Sequence, residues 1–340
     1  MKHATVGIDI MKRIFQLHWV DVEIGEINNL QIKREKFLDF FINRQPCLIG
    51  MEACGGSQHW ARELIKLGHQ VKLMTGKLVK SFVMGNKGDV ADAKAIWTAV
   101  QQPDIKAIAI KSEQQQAILA LHRMRQGLVK VRTMQTNALR GLLTEYGEVM
   151  PQGKMGLRKD IAAAIAHVES RLPTMVIEAL HAQWIRIKDI DEQISEIEFK
   201  LKSWLKIDKS AKAIADIPGV GLLTVTAAVA TMGDAKSFKS GREFAAWLGL
   251  VPKQTGTGGK TKLLGISKRG DTYLRTLLIH GARNVLARTK QTSTWLEKIK
   301  KRKHFNVVVI AIANKMARTI WAMLAYDRAY KSDWVNTMPV

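Results

Sequence analysis

Acidic residues are scarce in this chain. Its 340 residues hold 30 Asp and Glu against 53 Lys and Arg, a formal net charge of +23. An excess this large argues for a polyanionic partner, nucleic acid before an anionic membrane surface. Cysteine is nearly absent. Cys47 and Cys54 are the only two. Their C-x6-C spacing, with no paired histidines, fits no common zinc pattern, so they read as buried small residues in a reducing compartment. Long apolar runs are missing too. VVVIAIA (307–313) is among the longest, and it is too short to span a bilayer. No signal peptide precedes the first strand pattern. These absences predict a soluble, cytoplasmic protein with no membrane partner. Hydrophobic residues still make up 46% of the chain, enough for two or three domains with real cores.

Strand patterns are confined to the first third. ATVGIDI (4–10), FQLHWVDV (15–22) and GEINNLQI (25–32) are short and closely spaced, which predicts an antiparallel meander. A helical pattern (35–45), the buried strand PCLIGMEA (46–53), a helix (57–69), the strand QVKLMT (70–75) and a helix over 89–102 follow. That order predicts an α/β domain with a mixed sheet over residues 1–110. Beyond it the pattern turns helical. Residues 112–146 read as one long helix, with Arg123, Arg125 and Arg132 among its polar positions. Residues 176–205 place Ile177, Leu180, Trp184, Ile187, Ile190, Ile194, Ile197, Leu201 and Trp204 at three- and four-residue steps, the mark of a coiled coil or long helical hairpin. The stretch between, 147–173, reads as a hinge. Residues 111–206 are thus expected to be a helical, coiled-coil linker, and 207–335 a mainly helical C-terminal domain.

The positive charge is concentrated. Residues 1–92 carry 13 basic and 10 acidic residues, net +3, whereas residues 252–303 carry 14 and 2, net +12. Within the second stretch, PKQTGTGGKTKLLGISKRG (252–270), expected to be a loop, combines five glycines with lysines and hydroxyls and holds no acid. A P-loop is excluded there, because G-x-x-x-x-G-K-[ST] would need glycine where Gln254 stands. Upstream, Ile217-Pro218-Gly219-Val220-Gly221 precedes an apolar helix. This is a helix-hairpin-helix pattern, in which Gly219 and Gly221 would open backbone N–H groups to a DNA phosphate. The alternative is an ordinary glycine turn between helices.

Four carboxylates stand where the α/β pattern brings chain segments together. Asp9 lies in an apolar strand, where an acid needs a partner. Glu52 ends the buried strand in GMEACGG. Asp89 and Asp92 start a helix and, three apart, share one face of it. Strand ends and helix starts meet at one edge of an α/β sheet. Gathered carboxylates repel unless a cation neutralises them, and Mg²⁺ or Mn²⁺ suits such hard oxygen ligands. Locally, Asp89 also suits an N-cap and Asp92 the helix dipole.

These residues, with IPGVG, FAAWLGLVPKQ and GISKRGDTYLRTLLIHGAR, resemble the DEDD-type insertion-sequence transposases related to the Piv DNA invertase, recombinases guided by a bridge or seeker RNA encoded by their own element. The resemblance covers nearly the whole chain. It implies a RuvC-like, ribonuclease H-like N-terminal domain in which Asp9, Glu52, Asp89 and Asp92 hold Mg²⁺, and a C-terminal transposase domain with a hydroxyl nucleophile that forms a covalent 5′-phospho intermediate. It also implies that this hydroxyl completes its site with the tetrad of another protomer, in a dimer on each DNA and a tetramer in the synapse. Donor and target duplex DNA, a guide RNA and a prokaryotic, nucleoid-associated setting are the expected context. Many members carry Ser-Gly at the nucleophile position. Here Thr257 stands there, followed by Gly258. Ser267 is the second candidate, although its local role is that of an N-cap for the helix beginning near Gly270.

The expected activity is RNA-guided DNA cleavage and rejoining. Lys260, Lys262, Lys268 and Arg269 are expected to hold the phosphate near Thr257, and Arg275 with the helical arginines to neutralise nucleic-acid backbone. Two other readings remain open. A RuvC-like structure-specific nuclease would use the tetrad with water and form no covalent intermediate. A non-catalytic architectural protein would explain the charge but not Asp9.

Overall fold

The structure is a computed structural model that describes residues 4–86, 88–151, 153–288 and 294–331. Residues 289–293 of the basic stretch and 332–335 of the last expected domain lie outside the described residues. The chain divides into two compact units, Met1–Ser112 and Glu113–Val340. The expected linker and C-terminal segments therefore fall in one unit.

The first unit contains β1 (Thr5–Ile10), β2 (Ile14–Val20), β3 (Ile27–Lys33), α1 (Phe37–Ile42), β4 (Leu48–Glu52), α2 (Ser57–Lys66), β5 (Gln70–Met74), α3 (Gly76–Val79) and α4 (Asp89–Val100). Its sheet has the order β3-β2-β1-β4-β5. β1–β2 and β2–β3 are antiparallel, while β1–β4 and β4–β5 are parallel. Two short connections build the meander, and α2 supplies the longer crossover that parallel β4 and β5 need. This mixed sheet fits the expected ribonuclease H-like domain. Alternation along the strands sorts the residues onto two faces. Val6, Ile8, Phe15, Leu17, Ile49 and Met51 are buried on one, against Phe37, Phe41, Trp60 and Leu64 of α1 and α2. Gly7, Asp9, Gln16, Gly50 and Glu52 alternate with them onto the other face, where α4 packs. Cys47 is buried as expected, with Sγ 3.3 Å from His69 Nδ1, but Cys54 is exposed. The turn after β4 carries Cys54 out of the core.

The second unit runs α5 (Glu113–Glu145), α6 (Gly153–Glu169), α7 (Thr174–Ile207), α8 (Lys209–Ile214), α9 (Leu222–Met232), α10 (Gly241–Trp247), β6 (Pro252–Thr257), β7 (Lys260–Ile266), α11 (Thr272–Arg288), α12 (Thr294–Arg302) and α13 (Phe305–Tyr326). α5 and α7 pack antiparallel. Arg125 pairs with Glu198 at 2.7 Å and Arg132 with Asp191 at 3.0 Å, so seven residues forward on one helix match seven back on the other. The expected hinge is mostly helix. α6 buries Ile161, Ala164, Ile165 and Val168 against α5 and α7, because its apolar residues recur at three- and four-residue steps between the punctuating turns. A chain of hydrogen bonds joins α5 to α9 and α11. Tyr273 lies 2.9 Å from His122 Nδ1, and His122 Nε2 lies 3.0 Å from Thr226 Oγ1, whose hydroxyl donates to Leu222 O. That order assigns the proton to Nε2. Burial, with Arg125 adding, lowers the His122 pKa to about 4.

The VVVIAIA run extends further than its sequence reading suggests. It is part of α13, a 22-residue helix long and apolar enough to cross a bilayer by composition. Half of its apolar window is buried in the unit. Val308, Val309, Ile312, Ala313, Met316 and Ile320 form part of the core shared with α9 and α11.

Candidate active site

β1 and β4 bring the first two carboxylates together through their register. Gly7 pairs with Gly50 and Ile8 with Met51. One position further along stand Asp9 and Glu52. Each strand thus reads glycine, apolar residue, acid, with glycine and acid on the same face. The glycines set how closely α4 can lie. A Cβ at Gly7 would sit 2.5 Å from Trp97 N, and one at Gly50 would sit 2.8 Å from Val100 Cβ. No side chain larger than hydrogen fits beneath the helix, and α4 rests on the strand backbone. Its first turn, with Asp89 and Asp92, then lies beside Asp9 at the carboxyl ends of the strands. Gly88 occupies the N-cap position without a side-chain bond, so Asp89 is the first helical residue and not the cap.

The electrostatics report the same grouping. Burial, then Asp92, Asp89 and Glu52, raise the Asp9 pKa from 3.8 to about 6. A hydrogen bond from the Ile10 backbone partly opposes them. Glu52 is held close by α3, since a Cβ at Gly76 would lie 2.7 Å from its Cδ. Among the described residues, no three His, Cys, Asp or Glu side chains are close enough together to hold one ion. The donor set fits a hard divalent cation: four carboxylates, no nitrogen or sulfur, and an acid destabilised by its neighbours.

In the second unit, PKQTGTGGKTKLLGI is a β-hairpin rather than an irregular loop. β6 and β7 pair antiparallel, with Thr257 opposite Lys260 and Thr255 opposite Lys262. Gly258 and Gly259 have φ of 54° and 77° and close a two-residue turn, a backbone that glycine adopts without strain. Thr255, Thr257, Lys260 and Lys262 share one face of the ribbon, and both strands are exposed except at Ile266. Ser267 differs. Its backbone N–H donates to Val251 O at 2.8 Å, while its hydroxyl is buried with no partner among the described residues. It is not the N-cap of α11. Asp271 fills that role, accepting from Leu274 N at 2.8 Å. Lys268 and Arg269 are exposed, and Lys268 holds a left-handed φ of 54°.

Not every basic residue expected at the nucleic acid is displayed. Arg275 is 6% exposed, and its guanidinium donates to Leu248 O, Arg269 O and Thr272 Oγ1. It clamps two loops together. Arg125 and Arg132 are committed to Glu198 and Asp191. Arg123 is exposed. Of the two glycines in the hairpin pattern, Gly219 (φ 82°) packs inward, since a Cβ there would lie 2.6 Å from Val285 Cγ2. Gly221 is exposed at the start of α9. Sequence reasoning passed over the individual cations at 300–303, which are exposed around the end of α12. The run KKRK is the signal that identifies them.

Comparison with known proteins fits both units. A DEDD transposase family model matches residues 6–148, and the model described as "Transposase IS116/IS110/IS902 family" matches residues 211–297. A Pseudomonas aeruginosa protein named "Probable family 20 transposase" is 40% identical over 336 residues, covering 97% of this chain and 99% of that one. The transposase for insertion sequence element IS1328 of Yersinia enterocolitica is 38% identical, covering 94% of this chain and 96% of its own length. The transposase for IS1111A of Coxiella burnetii is 36% identical, covering 96% and 91%. The protein is therefore a transposase, an enzyme that cuts and transfers DNA strands, and its DEDD domain implies a divalent cation. The chain belongs to the IS110 family of insertion-sequence transposases.

Proposed function

We propose that this transposase cuts and rejoins donor and target DNA under the guidance of an RNA encoded by its element. In this reading Thr257 is the attacking hydroxyl, and Asp9, Glu52, Asp89 and Asp92 hold Mg²⁺ or Mn²⁺. The observation that carries the reading is the exposure of Thr257 at the tip of a hairpin whose same face presents Lys260 and Lys262. A hydroxyl there meets a phosphate without obstruction, and the lysines offset the phosphate charge. Ser267 lacks that access, since its oxygen is buried.

The chemistry follows from the groups. Thr257 Oγ1 bonds to the scissile phosphorus and loses its proton to water. The bond from phosphorus to the 3′ oxygen breaks, and that oxygen leaves with the electron pair and is protonated. The product is a threonyl 5′-phosphate ester and a free 3′ hydroxyl. Rejoining reverses the step with the 3′ hydroxyl of another strand. A divalent cation bound by the tetrad would supply charge stabilisation at the phosphate. The tetrad and the hydroxyl are proposed to come from different protomers, in a dimer on each DNA and a tetramer at synapsis. Exposed Arg123, Lys268, Arg269 and the 300–303 cations are proposed to neutralise DNA and RNA backbone. Base pairing to the RNA would choose the sequence. The proposed setting is the nucleoid of a prokaryotic cytoplasm.

The test uses the full protein with its element's RNA, Mg²⁺ and labelled junction DNA, quenched in denaturant. A protein–DNA adduct is expected, lost in Thr257→Ala and kept in Thr257→Ser. Cleavage without an adduct would instead establish the RuvC-like nuclease reading. An adduct that survives Thr257→Ala and disappears in Ser267→Ala would move the nucleophile to Ser267.

A further inference from the structure

Gln16 is the cross-strand partner of Asp9 in the β1–β2 register. Paired residues send their side chains to the same face of a sheet, here the face that α4 covers. Gln16 is 2% exposed. Its Nε2 donates to Leu17 O at 3.2 Å and to Leu30 O at 3.4 Å. Those two carbonyls decide which end of the amide is nitrogen, because the reversed amide would set oxygen against oxygen. Oε1 is therefore the other end, and it is buried with no hydrogen-bond partner among the described residues.

An unpaired buried acceptor is destabilising, because it has lost its water and gained no donor. A leucine here would avoid that cost, as Leu17 does on the opposite face. Nε2 is turned toward Leu30 of β3, and the cross-strand neighbour of Gln16 on the covered face is Asp9. Ionised carboxylates offer that oxygen nothing, since they accept and do not donate. A neutral carbonyl oxygen on the strand neighbour of Asp9 suits a cation or the water that a cation holds. Unlike a fifth carboxylate, it adds no net charge to the cluster.

We propose that Gln16 is a further member of the acidic site, a positioning residue whose side-chain oxygen accepts from water in the hydration shell of a divalent cation held at Asp9. The inference rests on the reading of the four carboxylates as a cation site.

The test is Mn²⁺ binding to the full-length protein without nucleic acid, followed by the electron paramagnetic resonance signal of free Mn²⁺. The variants are Gln16→Leu, the near-isosteric Gln16→Met and Asp9→Asn, each checked for folding by unfolding in EDTA. Both Gln16 variants are expected to bind Mn²⁺ about tenfold more weakly, the scale of lost outer-shell partners, and Asp9→Asn to lose the site. If one Gln16 variant does not fold, the other carries the measurement. Unchanged Mn²⁺ affinity in a folded Gln16 variant, with Asp9→Asn still losing the site, overturns the role of Gln16 alone. Unchanged affinity in Asp9→Asn overturns the cation-site reading beneath it.

Discussion

Replacing Asp9 by asparagine is expected to stabilise the first unit while abolishing strand cleavage. Burial and three neighbouring acids raise the Asp9 pKa from 3.8 to about 6. Each pKa unit is worth about 1.4 kcal/mol. At pH 8, with EDTA present, ionised Asp9 therefore costs the fold about 1–2 kcal/mol once solvent screening of this half-buried group reduces the full shift, and asparagine removes most of that. The sign follows from proton binding. Between pH 3.8 and 6 the folded state holds the Asp9 proton more tightly than the unfolded state does, so this contribution to stability falls as pH rises and levels off above 6. The advantage of Asp9→Asn is thus full at pH 8, smaller at pH 5 and absent below about 4. Differential scanning calorimetry of the full chain in EDTA, with the transition of residues 1–112 assigned by limited proteolysis, measures it. Adding Mg²⁺ at pH 8 is expected to narrow the gap, since the wild type alone gains from the cation. An Asp9→Asn protein no more stable than wild type at pH 8, or equally more stable at pH 5 and pH 8, would refute the electrostatic account.

The basic residues separate into two kinds of outcome. Arg275→Met is expected to lower stability by about 3 kcal/mol in urea unfolding, because three acceptors lose a charged donor. Arg123→Ala is expected to leave unfolding unchanged and to weaken nucleic-acid binding, with a salt dependence shallower by about one phosphate contact in fluorescence anisotropy. Gly76→Ala places a methyl group against Glu52 and is expected to cost about 1–3 kcal/mol in unfolding from overpacking, with reduced strand cleavage. The shorter side chain of Glu52→Asp in the same protein is expected to recover part of that cleavage, and no recovery would separate Gly76 from the placement of Glu52.

Much of the first unit is legible from residue order. Period-two runs mark its strands, and Asp9 and Glu52 stand out as acids within them. The Gly-x-acid pattern that GID and GME share is also visible, but its meaning depends on register. Only parallel pairing of β1 with β4 sets the two glycines side by side under α4. Gln16 escapes notice for the same reason, since nothing local shows that its neighbour is Asp9. In the second unit the long helices follow from periodicity, and α6 is missed because Gly and Pro at the ends of 147–173 suggest a break where they only bound a helix. The β6–β7 hairpin is missed because five glycines imply irregular backbone. Two of them form the turn, and the threonines and lysines between supply strand propensity and solubility.

Net charge overstates the nucleic-acid surface, and the structure shows by how much at particular positions. A cation contributes to phosphate binding only when its charge is not already neutralised or buried. Arg125 and Arg132 hold α5 to α7 through Glu198 and Asp191, and Arg275 is enclosed by carbonyl oxygens. Lys260, Lys262, Lys268 and Arg269 are exposed around the hairpin and its exit. These four, with Arg123 and the cations at 300–303, are the exposed ones proposed to meet nucleic acid. The cations spent on packing hold α5 to α7 and join the segments around Leu248 and Arg269. A substitution that changes the same formal charge is therefore expected to alter binding at one set of positions and folding at the other. The sequence alone assigns both sets to the same surface.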